Sequence, residues 1–376
     1  MASKRDIAKV LIHFFNVGQG NSICLECFSD AAVPKYILID CHSVSKVNPA
    51  PPVLDFLIEK KVTTLSAVII THLDADHYFG LSKVLEHFSG NGRTIEKLVQ
   101  LVPFGFGKYK FTDSSSNATF VRKELAKIES LIQKLGIPKL KQAPLAWNSE
   151  VIFGDLNIQF LFPENKGCQE FFQWLLRVLE KLASSPSERG DNINWNHTTL
   201  VFQLRFGNAC FFVGGDLVGG SSIYKGGKPL CADVVSVPHH GSNEISRKLW
   251  PKLSKPASSP TYPTYAIISA GPRNTYNHPH KNVIKGIINS GMDLYCINKA
   301  PSCEKAGLSG KSLHKFIKTQ LNSGKSGDIS GFIDSLGVQK DDICSGNISV
   351  ELLSSGQARI FKRDSSPVCA VKQKWK

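Results

Sequence analysis

Long apolar runs are missing from this chain of 376 residues. No stretch approaches the eighteen or so apolar residues that a membrane-crossing helix needs. The start, MASKRDIAKV, has basic residues but no apolar stretch ahead of a cleavage site, so a soluble, unexported, cytoplasmic protein is the expectation. Cysteine is dispersed, ten residues over the whole length, which excludes a disulfide scaffold and suits reduced thiols. Cys24 and Cys27 form the single CxxC. In a strand, residues three apart face opposite sides, and with no second pair to complete a zinc site the two read as structural. Acidic residues are few: 31 Asp and Glu stand against 45 Lys and Arg, for a formal charge of +14. That excess fits a polyanion partner or a merely solubilising basic surface, and only a site can decide between them.

What is present suits a globular α/β chain, with 42% hydrophobic residues. The opening stretches KVLIHFFNV, NSICLECF and KYILIDCH are β-branched and aromatic, separated by turn residues, and predict three strands. PVLDFLIEKKV predicts a short helix, and LSAVIITH a strand buried on both faces. Helices are predicted over YFGLSKVLEHF, over residues 118–135 and over residues 168–183. Strands return in TTLVFQLRFGNACFFVGGD, a hairpin turning at Gly207 and Asn208, then in ADVVSVPHHGS, YAIISAG and DLYCINK, and GNISVELLSSGQARIFKR closes the chain as a hairpin. We read one domain over 1–376, with a helical insertion at about 90–190, a Ser/Gly/Lys-rich insertion at about 300–343 and a basic tail at about 364–376.

THLDADH packs two histidines and two aspartates into seven positions directly after the apolar run LSAVII. A divalent cation needs several imidazoles or carboxylates converging at about 2.0 to 2.2 Å. The alternation lets His72 and Asp74 face one point and Asp76 and His77 another, which suggests two cations. Three further segments put ligand-type residues at strand ends, where layered α/β folds gather their sites: NHTTLV with His197, FFVGGDL with Asp216, and VPHHGS with His239 and His240.

In this order FFNVGQGNS, ILIDC, THLDADH, NHTTLV, GGD, VPHHGS and NHPH resemble the metallo-β-lactamase-fold hydrolases, over about residues 10–300 and with most likeness to the hydrolase domains of bacterial ComEC-type DNA-uptake proteins. The resemblance implies an αββα sandwich, two mixed β-sheets flanked by helices, with the metals at one edge. It implies two divalent ions, zinc or manganese with magnesium possible. His72, Asp74 and His197 would hold one, Asp76, His77 and one histidine of the 239/240 pair, His239 by motif position, the other, and Asp216 would bridge them. On this reading His240 faces the substrate or orients a ligand, and Asp76 also holds the attacking water. His278, and after it His280, would donate a proton to the leaving oxygen or hydrogen-bond a phosphate, and Arg273, Asn274 and Ser242 would contact the phosphate; a proline-rich turn whose histidines cap backbone groups is the alternative for His280, as a helix cap is for Ser242. The glycines Gly18 and Gly20 would turn the chain beneath the metals. Asn16 and Asn21 stand where this family commonly has aspartates, and His42 and Phe79 where it commonly has glycines. The implied activity is a phosphodiesterase acting on nucleic acid, DNA foremost, through metal-activated hydroxide. A small phosphodiester substrate, or a non-catalytic metal-containing protein that binds nucleic acid or a partner, are the alternatives. Phe104, Phe106, Tyr109 and Phe111 offer stacking faces or a packed loop.

Overall fold

The computed structural model describes residues 7–29, 33–43, 50–90, 92–101, 104, 116–137, 150–153, 156–162, 173, 177, 195–219, 230, 232–256, 258–259, 263–271, 274–298 and 346–362. Strands β1 (Ile7–Phe14), β2 (Ser22–Ser29) and β3 (Lys35–Cys41) form the expected antiparallel meander. Helix α1 (Pro52–Glu59) then leads to β4 (Thr64–Ile70), which lies parallel to β3. After α2 (Ala75–Tyr78) and α3 (Leu81–Phe88), the short strands β5 (Thr94–Ile95) and β6 (Leu98–Gln100) both pair with β4. The long amphipathic helix is α4 (Ser116–Leu135).

The second sheet runs in space from β13 (Asp293–Cys296) through β12 (Tyr265–Ile268), β11 (Val234–Ser236), β10 (Ala209–Val213), β9 (Val201–Phe206) and β8 (Leu156–Phe162) to β7 (Glu150–Phe153). Finally β14 (Ile348–Leu353) and β15 (Ala358–Lys362) return to the first sheet, whose order is β15-β14-β1-β2-β3-β4-β5. The closing hairpin therefore completes the sheet that the first three strands began.

The two sheets share one apolar layer. Val10, Ile12 and Phe14 of β1, Val350 and Leu352 of β14, and Phe202, Leu204 and Phe211 of the second sheet are all buried in it. Phe14 meets Phe211 edge-on across the layer, with ring centroids 5.9 Å apart. A second cluster covers the other face of the second sheet, where Trp250, Leu253, Ile284 and Ile287 pack on Val235, Ala266 and Ile268. Cys24 and Cys27 are buried free thiols, and burial pushes Cys27 up to about 12, far from a metal-binding thiolate.

Two readings need correction. The helix expected over 78–88 is broken, because Gly80 N–H donates to Cys41 O at 2.7 Å and a Cβ there would lie 2.8 Å from Pro51. Its first part begins instead at Ala75 and carries Asp76 and His77. The insertion expected at about 90–190 is not all insertion either. Residues 94–95 and 98–100 add strands to the first sheet, and EVIF (150–153) and LNIQFLF (156–162), apolar and β-branched, add two to the second. Of the helix expected at 168–183 only residues 173 and 177 are described; the 300–343 segment, the 364–376 tail, Phe106, Tyr109 and Phe111 lie outside the described residues. Phe104 is fully buried, against Tyr78. Among the described residues, no helix is long and apolar enough to cross a membrane.

Candidate metal centre

Strands β3 and β4 run parallel in one sheet, and β10, β11 and β12 run parallel in the other. Their C-terminal ends deliver Asp40, His72, Asp216 and the His239–His240 pair to one place. The loop after β4 then turns into α2, with Asp74 in extended conformation at its N-terminus and its carbonyl accepting from His77 N–H. Asp76 and His77 thus project from the first helical turn toward the same point as His72.

Asp216 is the centre of the cluster. Its Oδ1 lies 3.1 Å from His77 Nε2 and 3.7 Å from His240 Nε2, while its Oδ2 lies 3.7 Å from both His72 Nε2 and His239 Nε2. His72 Nε2 is 3.4 Å from Asp74 Oδ2, and His240 Nε2 is 3.1 Å from Asp76 Oδ2. Two groups of three, His72 with His77 and Asp216, and Asp76 with His77 and His240, keep their ligand atoms within 4.8 Å of one another.

A proton inventory explains why these atoms suit a cation. Asp40 Oδ2 accepts from Thr71 Oγ1 at 2.9 Å and from His77 Nδ1 at 2.7 Å. With its only proton given to Asp40, Thr71 Oγ1 is left to accept from His72 Nδ1 at 3.1 Å. His240 Nδ1 donates to Ser269 O at 2.7 Å. Each ring therefore directs its Nδ1 proton away from the cluster, so its Nε2 faces a carboxylate and is the atom at which a metal would take the place of any proton there. His72 Nε2, His77 Nε2 and Asp216 Oδ1 are buried with no hydrogen-bond partner. Buried imidazole nitrogens and carboxylates crowded this closely are costly unless a proton or a metal ion sits among them. The donor set fits divalent metal.

The electrostatics follow from this crowding. Burial, and then the neighbouring His77, push His72 down to about 3. For His77 burial also opposes charging, but the carboxylates of Asp216 and Asp40 outweigh it and hold the ring well above its ordinary value. Burial, the largest influence, likewise opposes ionisation of Asp76 and Asp216. Hydrogen bonds and charge from His240 and His77 nevertheless keep both carboxyls below the usual range.

Several site expectations change in detail. His239 was expected to accompany Asp76 and His77, yet the ring that does so is His240, 1% exposed. Both residues have left-handed backbone, φ 45° and 52°, so consecutive side chains leave the turn in different directions. His239 instead reaches Asp216 Oδ2 on the side of His72, and its Nε2 lies 3.4 Å from Asn196 Nδ2. Asn274 was expected to touch the substrate. Its amide is engaged in its own loop, donating to Gly271 O and His278 O and accepting from His278 N. His280 Nδ1 accepts from Asn243 N–H, and Ser242 Oγ accepts from Glu244 N–H, so both serve the turn. His278 does approach the cluster, its ring 5.4 Å from that of His239, with Nδ1 buried and unpartnered. The backbone of His197 lies in a single helical turn, Trp195–Thr198; its side chain, and all of Arg273, are outside the described residues.

The supporting residues were less legible. Asp40 is the penultimate residue of ILIDC, and its place near a strand end, one strand over from His72, is the signal the sequence offers for it. Thr71 and Thr199 carry no such signal in the sequence, yet Thr199 Oγ1 accepts from Asp216 N–H at 2.9 Å and so positions the central carboxylate. Gly20 does act as expected. A Cβ there would fall 2.6 Å from Asp76 O, and Asn21 N–H donates to that same oxygen at 2.9 Å.

Two mixed sheets face each other with a His/Asp cluster at one edge, an arrangement consistent with a metallo-β-lactamase fold, and residues 35–121 match the family model of the metallo-beta-lactamase superfamily. The chain is homologous to the ComE operon protein 3 of Bacillus subtilis strain 168, with 26% identity over 239 residues, 62% of this chain and 23% of that protein. It thus spans about a quarter of that relative's length. Among solved structures it is similar to the metallo-beta-lactamase fold protein YhfI from Bacillus subtilis, at 12% identity over 78% of this chain and 97% of the other, TM-score 0.42. A diphosphatase of the PhnP family matches at 11% identity over 77% and 86%, TM-score 0.37. A long-form RNase Z from yeast matches at 12% identity over 74% and 40%, TM-score 0.37.

Proposed function

We propose that this protein is a metal-dependent phosphodiesterase that cleaves nucleic acid, with DNA as its substrate. The observation that carries the reading is the convergence of buried His72 Nε2, His77 Nε2 and Asp216 Oδ1, within 4.8 Å of one another and each without a hydrogen-bond partner. His72, Asp74 and Asp216, joined by His197, would hold one ion, and Asp76, His77, His240 and Asp216 the other. The two oxygens of Asp216 already face different histidines, which suits a bridge. Divalent ions held there supply Lewis acidity and a water acidic enough to attack phosphorus near neutral pH. Asp74 brings a hard oxygen donor, so manganese and magnesium suit the site as zinc does.

The remaining roles belong to the protein. Asp76 would orient the attacking water. His278, buried beside His239 and held by the Asn274 clasp, is pushed down to about 3 by burial and then by His240 and His239, so it would act on the leaving oxygen as a neutral ring that hydrogen-bonds it. The formal charge of +14 favours a polyanion over a neutral substrate and makes binding salt-dependent.

The test is release of acid-soluble nucleotides from plasmid and single-stranded DNA in manganese, zinc or magnesium, compared with EDTA. We expect metal-dependent release that Asp76→Ala and His77→Ala abolish. Failure to cut DNA in any of the three metals, by a protein carrying stoichiometric metal, would refute the nuclease. Turnover of bis(p-nitrophenyl) phosphate alone would then indicate a small phosphodiester, and DNA binding without turnover a non-catalytic role.

A further inference from the structure

The loop that carries His278 also carries a feature the proposed chemistry leaves unused. Among the described residues the large hydrophobic side chains that are exposed are Val33, Ile58 and Tyr276. Val33 precedes β3 and Ile58 lies on α1, whereas Tyr276, 68% exposed, sits beside the metal centre. Its ring stacks on His278, with centroids 5.6 Å apart and planes 23° apart. His278 in turn stacks on His240, at 6.3 Å and 25°. His240 meets Asp76 and Asp216 at the heart of the cluster. Three nearly parallel rings thus lead from the candidate metals to solvent, and the outermost presents one open aromatic face.

The stack is held from behind. Asn274 joins Gly271 O, His278 O and His278 N in one clasp, and His280 N–H donates to Gly241 O. Beyond its stack on His278, most of the Tyr276 ring surface remains open to solvent, at an apolar cost. A rigid ring of this kind, open on one side and next to a phosphodiester site, matches the platforms on which single-stranded nucleic acids stack their bases.

We propose that Tyr276 stacks a base flanking the scissile phosphate, so that the site takes single-stranded polynucleotide and reads the presence, not the identity, of that base. This rests on the phosphodiesterase reading above and specifies its substrate. Tyr276 is here a binding residue; the reacting groups stay with the metal ligands and His278.

The test uses the full chain and a single-stranded deoxyoligonucleotide, intact or with one abasic residue placed at each position in turn. In the wild type, loss of the base at one position beside the cut lowers kcat/KM about tenfold, within the range that base–aromatic stacking supplies. In Tyr276→Ala the intact oligonucleotide is cut about tenfold less efficiently, and the further penalty for the missing base shrinks to less than about twofold. Tyr276→Trp restores the dependence on the base. Equal losses on intact and abasic substrates, or no loss on either, overturn the proposal. Binding of an oligonucleotide with 2-aminopurine at that position, in calcium in place of manganese, separates the two readings. Quenching that vanishes in Tyr276→Ala supports stacking even if no metal permits cleavage. Cleavage accompanied by quenching that Tyr276→Ala leaves intact overturns stacking and retains the nuclease.

Discussion

Replacing Asp40 by Asn would change no atom that touches metal, yet it is expected to weaken metal binding. Asp40 Oδ1 accepts from Thr71 N–H at 2.8 Å, while its Oδ2 accepts from Thr71 Oγ1 and from His77 Nδ1. An asparagine that kept the bond to Thr71 N–H would place its amide nitrogen where Oδ2 was. That nitrogen can only donate, so His77 must present a lone pair at Nδ1 and move its proton to Nε2, the atom 3.1 Å from Asp216 Oδ1. A protonated Nε2 cannot be a ligand. Thr71 loses its acceptor as well, which loosens the pin on His72 Nδ1. Outer partners of ligating histidines are worth about 10- to 100-fold in metal affinity, or ~1.4 to 2.7 kcal/mol. The assay is a titration with manganese or zinc against a chromophoric chelator, alongside a thermal melt to show folding. Thr71→Val, which leaves the Asp40–His77 bond in place, should lose less. Metal affinity within about twofold of wild type in a folded Asp40→Asn protein would refute the reasoning.

Other outcomes follow from the same structure. His240→Ala should lower metal content more than His239→Ala, since His240 lies with Asp76 and His77; elemental analysis of the purified variants checks this. Gly20→Ala should destabilise by about 1–3 kcal/mol, because its Cβ would fall 2.6 Å from Asp76 O on a backbone at φ +143°, and denaturant unfolding measures it. Glu26, buried in β2, is held down to about 2: burial opposes ionisation, but hydrogen bonds from His13, Lys60 and Tyr36 outweigh it. Its stabilisation is complete above its ordinary value of 4.5 and is lost as pH falls toward 2. Glu26→Gln should therefore cost about 2 kcal/mol at pH 7, and the gap to wild type should close between pH 4.5 and 2 in melts by circular dichroism.

The sequence by itself determined the local order of this protein. β-Branched runs set β1 to β4 and the β9–β10 hairpin, because strand formation depends on side chains a few positions apart. It also placed each metal-type residue at the end of a strand, since LSAVII, FFV and VVSV stop where His72, Asp216 and the 239–240 pair begin. Tertiary structure alone decided which of those residues meet. The choice of His240 over His239 rests on two left-handed residues and on Ser269, 29 positions away, accepting the ring proton. Likewise Asn274 faces its own loop, and Asp40 and Thr71 assign the protons of two histidines. The Ser269–His240 and Asp40–His77 contacts join segments distant in sequence, while the Asn274 clasp closes within one loop, and all of them are short-range and directional. Spacing within a motif says nothing about the direction of a ring nitrogen until the sheets have brought its partner within hydrogen-bond reach.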